Sequence, residues 1–417
     1  MRVETRKKVA RLVVKFGGSS LSSPRRISRA AEAVRRTVES GVQAAVVVSA
    51  MGRTTDDLLE ATHAISSSNK CERVDDILSM GERTSARIFH TALSTQGLAS
   101  RCFDPQDNDW PITTDDSFGD ATPLLPICQQ RIRRYILPCL EKRAVPVLPG
   151  FVGKTADGRV TTMGRGGSDI TAFVLARSLP AEESILVTDS DGLMTADPKL
   201  VKNARPIPRI SIQELVRIAD SGTKFLKTKA LQYLDDTFTV RITSNTAPSL
   251  RSGGTTITGA FSSLFEAKLE STNPSTMITI TGKRISQDPK ITKEILSKVS
   301  GRKVRILGLS ANSDSLILYL SSQRGRRLVE ELHDLVLAHR ETTAMAICEN
   351  LSMIRIAGFG LVEKPGLVAS VAEPLRENSL NIYGIFTIAS SIVLLVDWMQ
   401  REKALHLVRK ALKEMMR

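Results

Sequence analysis

Two stretches in the last third of this chain follow the same pattern. Met277-Ile-Thr-Ile-Thr-Gly282 is answered 76 positions on by Met353-Ile-Arg-Ile-Ala-Gly358. The offset holds from Pro289 to Pro365, from Ile306-Leu-Gly308 to Ile382-Tyr-Gly384, and from Leu316-Ile-Leu318 to Ile392-Val-Leu394. A repeat kept in register over that length means that one structural unit is built twice in tandem. Each copy reads strand, helix, strand, strand, helix, the order of a small ferredoxin-like βαββαβ unit.

The 417 residues exceed what one hydrophobic core supports, so two or three domains are expected. Ahead of the repeat, short β-branched runs alternate with helical patterns. Residues 11–16 and 44–48 read as buried strands, and between them Ile27, Ala30, Ala31, Val34 and Val38 recur at helical spacing. Strand, helix and strand in that order make a βαβ unit and a parallel sheet. The alternation continues with a helix over 75–93, a strand over 145–152, a helix over 169–179 with Ser168 or Asp169 as its N-cap, and a strand over 184–188. The expected class is an α/β sandwich followed by the two ferredoxin-like units. Strands and Ser/Gly/Thr-rich turns fill 239–259, and a polar stretch with a proline at 270–275 reads as a linker. The expected organisation is a tail over 1–10, a domain over 11–262, and repeat units over 276–346 and 347–417.

Composition narrows the function classes. Apolar residues make up 41% and charged residues 24%, an ordinary globular balance. The 58 basic residues outnumber the 44 acidic ones to leave +14, an excess that suits nucleic acid, an acidic surface or an anionic substrate. Its distribution decides. The basic residues form small clusters at helical spacing (Arg25, Arg26, Arg29, Arg35, Arg36; then Arg131, Arg133, Arg134; then Arg324, Arg326, Arg327) with no interleaved aromatics, so they read as solvated helix faces and no nucleic-acid partner is expected. The five cysteines are scattered without a C-x-x-C pair, and the five histidines share no ligand spacing, so neither a disulfide framework nor a metal site is expected. No apolar run approaches the roughly 18 to 20 residues that span a bilayer, and no apolar stretch of signal-peptide type precedes the first strand. A cytoplasmic protein without membrane association is expected.

Three Gly-rich segments directly follow strands, where backbone N–H groups and helix N-termini hold phosphate. The first is Lys15-Phe-Gly-Gly-Ser-Ser20. Its glycines let the backbone approach a polyphosphate, and Lys15 supplies a mobile positive charge; the plain alternative is a strand-to-helix turn beside a snorkelling lysine. The second is Thr161-Thr-Met-Gly-Arg-Gly-Gly-Ser-Asp169. It joins a flexible loop, a helix start, an aspartate and an arginine able to grip a carboxylate through two parallel hydrogen bonds; the plain alternative is a hairpin leading into a capped helix. The third, Thr188-Asp-Ser-Asp-Gly-Leu-Met-Thr-Ala-Asp-Pro198, is explained by turn chemistry alone except for its place at a strand's carboxyl end. A Walker-type P-loop is excluded, since no G-x-x-x-x-G-K-[ST] segment exists.

These strings, together with Val48-Ser-Ala-Met51, Met80-Gly-Glu82 and Gly150-Phe-Val-Gly153 in the same order and spacing, resemble the aspartate kinases of the amino acid kinase family over roughly residues 11 to 246. The repeat is similar to that family's paired ACT domains. The resemblance implies a three-layer sandwich that transfers the γ-phosphoryl group of ATP, bound with Mg²⁺, to the side-chain carboxylate of L-aspartate. It implies that Lys15, Gly17, Gly18 and Ser19 face the phosphates, with Lys15 stabilising the transferring group and Asp169 holding that lysine. Thr55, Glu82 and Arg165 would bind aspartate, with Gly166, Gly167 and Ser168 beside them. Thr188, Asp189, Met194, Lys199 and Lys224 would cradle the nucleotide. No protein nucleophile or base is required, because the substrate carboxylate is already ionised near neutral pH.

The chain also departs from the family pattern. Met194 replaces a usual tyrosine near the adenine, Lys199 a usual arginine, and Phe225-Leu-Lys-Thr228 the usual continuation after Lys224. In the repeat, the second copy keeps Lys364-Pro-Gly-Leu367 and Asn381, whereas the first has Lys290 and Arg305 at the equivalents of Gly366 and Asn381. Feedback by an amino acid such as lysine or threonine is therefore expected to be weakened, altered or confined to the second copy, in an enzyme expected to be a homodimer or larger. Two other readings stay open: a kinase of the same fold with a different acceptor, and a non-catalytic sensor or nucleic-acid-binding regulator built on an inactive kinase.

Overall fold

The computed structural model describes residues 9–65, 71–197, 199–219, 228–260, 265–302, 304–321, 325–358, 365–388 and 391–415. They form two compact units, Met1–Ser262 and Ser263–Arg417.

In the first unit the strands are β1 (Arg11–Phe16), β2 (Gln43–Val48), β3 (Ser100–Cys102), β4 (Val145–Pro149), β5 (Val152–Lys154), β6 (Val160–Thr162), β7 (Glu183–Thr188), β8 (Arg209–Ser211), β9 (Thr239–Ser244) and β10 (Thr255–Thr258). The helices are α1 (Pro24–Glu39), α2 (Thr54–Ile65), α3 (Glu72–Thr95), α4 (Leu125–Tyr135), α5 (Leu137–Glu141), α6 (Gly167–Ser178), α7 (Ile212–Ala219) and α8 (Thr228–Leu231). Eight strands make one sheet in the order β3-β4-β2-β1-β7-β9-β10-β8, parallel except between β9 and β10. β5 and β6 pair as a separate hairpin.

The βαβ reading of the N-terminal run holds. Ser23 caps α1 by accepting the Arg26 N–H, and Pro24 opens the helix. Its Ile27, Ala30, Ala31 and Val34 bury on one face of the sheet together with Phe89 and Leu93 of α3, Leu12, Val14 and Phe16 of β1, and Val46 and Val48 of β2. The rings of Phe16 and Phe89 lie 5.3 Å apart. α6 is buried nearly all round, from Ile170 to Ala176, as a helix enclosed by other elements must be. The strand expected over 145–152 breaks after Pro149. Gly150 lies against Ser168, and Phe151 turns the chain at φ +68°, so β5 leaves in a new direction.

The second unit contains β11 (Phe265–Leu269), β12 (Ser275–Gly282), α9 (Pro289–Gly301), β13 (Ile306–Asn312), β14 (Ser315–Ser321), α10 (Gly325–Ala338), β15 (Thr342–Gly358), α11 (Leu367–Glu377), β16 (Gly384–Ile388), β17 (Ser391–Asp397) and α12 (Arg401–Met415). Its pairings are antiparallel, and they show how the copies interleave. The first half of β15 pairs with β12, completing the first copy, whereas the second half pairs with β17 and with β11. The fourth strand of the second copy thus comes from residues ahead of the first copy, and β15 crosses position 346 unbroken. Each copy has its own core: Ile278, Ile291, Ile295, Leu318 and Leu332 in the first, and Phe265, Ile354, Val371, Leu394 and Val408 in the second. A smaller cluster of Tyr319, Leu351, Met353, Val393 and Leu395 joins them, with Tyr319 stacked on Phe386 at 4.8 Å. No helix among the described residues is long and apolar enough to cross a membrane.

Candidate active site

Parallel strands in register end together. Phe16 lies beside Val48 and Val187, Val48 beside Pro149, and Thr188 beside Ser244. The turns that leave these strands converge on the carboxyl edge of the sheet, where open α/β sheets gather ligands. Backbone hydrogen bonds tie the turns together. Gly17 N–H donates to the Val187 carbonyl (3.2 Å), Ser49 N–H to Phe16 (3.0 Å), Gly52 N–H to Gly18 (3.1 Å) and Gly150 N–H to Val48 (2.8 Å). The packing leaves no room for a side chain at two of these glycines. A Cβ on Gly18 would stand 2.7 Å from the Ala50 carbonyl oxygen, and one on Gly150 would stand 2.7 Å from Ser168 Cβ.

Lys15 and Asp169, more than 150 residues apart, meet across this edge with Lys15 Nζ 2.8 Å from Asp169 Oδ1, and each side chain is less than 15% exposed. Ser168 Oγ lies 3.1 Å from Ser49 Oγ. The helix that carries Ser168 and Asp169 does not start with either of them as its N-cap. The N-cap is Gly166, at φ +87° and without a side-chain cap, and the helix begins at Gly167. Ser168 and Asp169 are engaged through their side chains with Ser49 and Lys15, while the Gly167 N–H donates to the Gly164 carbonyl and the Asp169 N–H to the Gly166 carbonyl, each at 3.0 Å. Arg165 stands exposed between Gly164 (φ +68°) and Gly166. Gly167 is buried against Phe151, 2.8 Å from where its Cβ would lie.

Glu82 reads in sequence either as a ligand-binding group or as half of a surface ion pair with Arg83 or Arg87. The second reading fails. α3 buries Val74, Asp75, Leu78, Ser79, Glu82, Ala86 and Phe89 on one side, and Glu82 is only 4% exposed. Arg83 turns to Asp104 with two bonds of 3.0 and 3.2 Å, and Arg87 reaches the same carboxylate at 2.6 Å. Glu82 Oε1 accepts the Thr55 hydroxyl at 3.1 Å, while Oε2 is buried with no hydrogen-bond partner among the described residues. Burial pushes this carboxyl up to about 7, against the opposing pull of the Thr55 hydroxyl and the Ala50 backbone.

The remaining residues named from the sequence are more scattered. Ser19 is exposed at the glycine turn. Thr188 Oγ1 accepts the Ser190 N–H at 3.1 Å, the Asn245 N–H donates to the Thr188 carbonyl at 2.7 Å, and Asp189 faces outward. Met194 is half-buried, bridged to Pro206. Lys199 is exposed, and its N–H donates to Asp197 Oδ1 in a local turn. Lys224 lies outside the described residues. Ser49, within the string Val48-Ser-Ala-Met51, joins the site through Ser168. Asp75 belongs to none of the motifs; its legible signal is an acidic residue two turns ahead of Glu82 on the same apolar face.

A lysine paired with a carboxylate over turns that only glycine can make, all at the carboxyl edge of a parallel sheet, belongs to a phosphotransferase of the α/β class. The chain is a member of the amino acid kinase family, whose description matches residues 10–244. The chain is 31% identical over 379 residues to the aspartokinase of Geobacillus stearothermophilus, covering 89% of each. Its fold is shared with the aspartate kinase from Synechocystis, at TM-score 0.75 and 23% identity over 96% of this chain and 69% of that one. E. coli aspartokinase III in complex with aspartate and ADP aligns at TM-score 0.55 and 22% identity, over 97% of this chain and 100% of that one. That protein has also been solved with lysine and aspartate.

Proposed function

We infer that this chain is an aspartate kinase, transferring the γ-phosphoryl group of ATP to the β-carboxylate of L-aspartate to give aspartyl phosphate and ADP. The Lys15–Asp169 pair at the glycine edge carries this reading, with aspartokinase relatives over nearly the whole chain in support. Lys15 stabilises charge on the transferring oxygens, and Asp169 keeps its ammonium aimed. The close-packed Gly17-Gly18 turn and Ser19 suit phosphate oxygens. Thr188, Asp189, Met194, Lys199 and Lys224 serve the nucleotide. Mg²⁺ carried on ATP would neutralise phosphate charge. Arg165 with Gly166, Gly167 and Ser168 takes the substrate α-carboxylate. Glu82, with Thr55, takes the ammonium, for which the unpartnered Oε2 is a ready acceptor. The acceptor carboxylate is already ionised, its reference pKa being about 3.9, so the chemistry is alignment and charge neutralisation. Hydroxylamine trapping of the acyl phosphate tests the reading: hydroxamate must appear with L-aspartate, ATP and Mg²⁺ and be absent without aspartate. Hydroxamate formed only with N-acetylglutamate or glutamate would overturn it.

Glu82 makes a pH prediction. With its carboxyl pushed up to about 7, the group is ionised above that pH and neutral below it, where it loses its attraction for an ammonium. KM for aspartate is expected to climb as pH falls from 8 to 6, and to be high and flat in Glu82→Gln. The sign for stability is opposite. A raised folded-state pKa favours the fold while the group is protonated, and that advantage is lost as pH rises through 7. Glu82→Gln should therefore melt above the wild type at pH 8 but not at pH 5, as differential scanning calorimetry would show.

The catalytic domain would take residues 11–262 and the sensing copies 276–346 and 347–417, the second completed by the strand over 265–269, in a cytoplasmic homodimer or larger assembly. The asymmetry of the copies supports an effector site confined to the second. In the first copy Asp288 caps α9 by accepting the Lys290 N–H at 2.8 Å, so its helix start is occupied by the chain's own carboxylate. The equivalent of Lys290 in the second copy, Gly366, sits at φ +80° and caps α11 with no side chain. Titration calorimetry with lysine and threonine is expected to show binding that survives Lys290→Gly and is lost in Gly366→Val.

A further inference from the structure

Arg165 follows the end of β6 by three residues, so whatever fixes that end fixes the arginine. Two charged groups from separate helices do so. From α3, the fully buried Asp75 carboxylate accepts the Thr162 N–H at 2.6 Å, the Thr162 hydroxyl at 2.9 Å and the Gly119 N–H at 2.9 Å. From α8, Lys229 Nζ donates to Asp120 Oδ1 (2.7 Å), the Asp120 carbonyl (2.8 Å) and the Ala121 carbonyl (3.2 Å), and reaches the Met163 carbonyl at 3.4 Å. Residues 119–121 lie alongside the same strand end, since the Ala121 N–H donates to the Thr162 carbonyl at 2.9 Å. Asp120 also abuts the loop itself, its Oδ1 lying 2.6 Å from where a Cβ on Gly164 would be.

We propose that Asp75 and Lys229 are positioning residues for phosphoryl transfer, bracing residues 119–121 against the end of β6 so that Arg165 is presented at a fixed separation from Glu82. Asp75 belongs to the helix that carries Glu82, two turns ahead of it on the same buried face. One carboxylate therefore ties the element bearing the ammonium acceptor to the strand leading to the carboxylate-binding arginine. A buried carboxylate that serves only stability is weak evidence of selection for stability, because apolar packing does as well. Three converging donors instead fix direction, which substrate alignment needs and packing does not. The proposal rests on reading the chain as an aspartate kinase.

Full-length wild type, Lys229→Met, Lys229→Arg, Asp120→Asn and Asp75→Asn would be assayed for hydroxamate at varied aspartate and varied ATP, with melting followed in parallel. KM for aspartate is expected to rise tenfold or more in Lys229→Met and Asp75→Asn and about threefold in Asp120→Asn, with KM for ATP within twofold and most of the loss recovered in Lys229→Arg. If Asp75→Asn does not fold, Lys229→Met and Asp120→Asn, at side chains with 23% and 62% exposure, carry the test. Lower melting with unchanged aspartate KM, or equal rises in both KM values, overturns the brace while the functional reading stands. A wild type that forms no hydroxamate with aspartate overturns both.

Discussion

Lys15→Met is expected to lower kcat for aspartate-dependent hydroxamate formation by about three orders of magnitude, a loss near 4 kcal/mol of transition-state stabilisation. The reason is position as well as charge. The ammonium is largely screened from water and held 2.8 Å from Asp169, so its field acts at low effective dielectric on oxygens that gain charge only during transfer. The loss should fall on kcat far more than on KM for ATP. Asp169→Asn should show a smaller loss, since the lysine remains but is no longer aimed. The double variant should be scarcely worse than Lys15→Met, the non-additivity of two groups that act as one. A kcat within tenfold of wild type for Lys15→Met would remove the lysine from the chemistry.

Gly18→Ala is expected to be nearly as damaging by a purely steric route. The new Cβ would meet the carbonyl oxygens of Ala50 at 2.7 Å and Gly52 at 3.1 Å, both backbone, with no flexible side chain able to give way. The turn after β1 must part from the turn after β2, breaking the Gly52 N–H bond to the Gly18 carbonyl and moving the N–H groups proposed to hold phosphate. A fall in kcat/KM of about a hundredfold or more is expected. Melting should drop only modestly, because the sheet core beneath is untouched. Gly17→Ala is the steric control, since its Cβ would find only ordinary contacts, 3.5 Å from the Val187 carbonyl oxygen and 3.8 Å from Lys15 Nζ. A loss of activity there, with melting unchanged, would report on the nucleotide's approach to the backbone and on the setting of the Lys15 ammonium. Equal melting and equal kcat/KM in the two variants would show that the turns do not need their present contact.

The Val48-Ser-Ala-Met51 string shows how the two levels of description divide. Its place after a buried strand was legible, but not that Ser49 would meet Ser168, or that Ala50 would lie against Gly18 and Gly81. Glu82 makes the point more sharply. Its neighbours Arg83 and Arg87 made a surface ion pair the ordinary expectation, yet both arginines turn to Asp104, some twenty residues away. Glu82 is thereby left buried with one oxygen free. The helix N-cap moved from Ser168 or Asp169 to Gly166 for a similar reason, because those side chains were recruited by Ser49 and Lys15.

By itself the sequence determined the α/β class, the parallel run at the N-terminus, the tandem repeat and the Gly-rich turns. Each of these is a local matter, written in hydrophobic period and in the few residues that suit a turn. Only the tertiary structure decided that Lys15 meets Asp169, that Glu82 Oε2 has no hydrogen-bond partner among the described residues, that Asp75 and Lys229 hold one strand end, and that residues 265–269, ahead of the first copy, complete the second. Whether a charged group is buried, and at what pKa, depends on donors contributed from distant parts of the chain, and no spacing along the sequence encodes which of them will arrive.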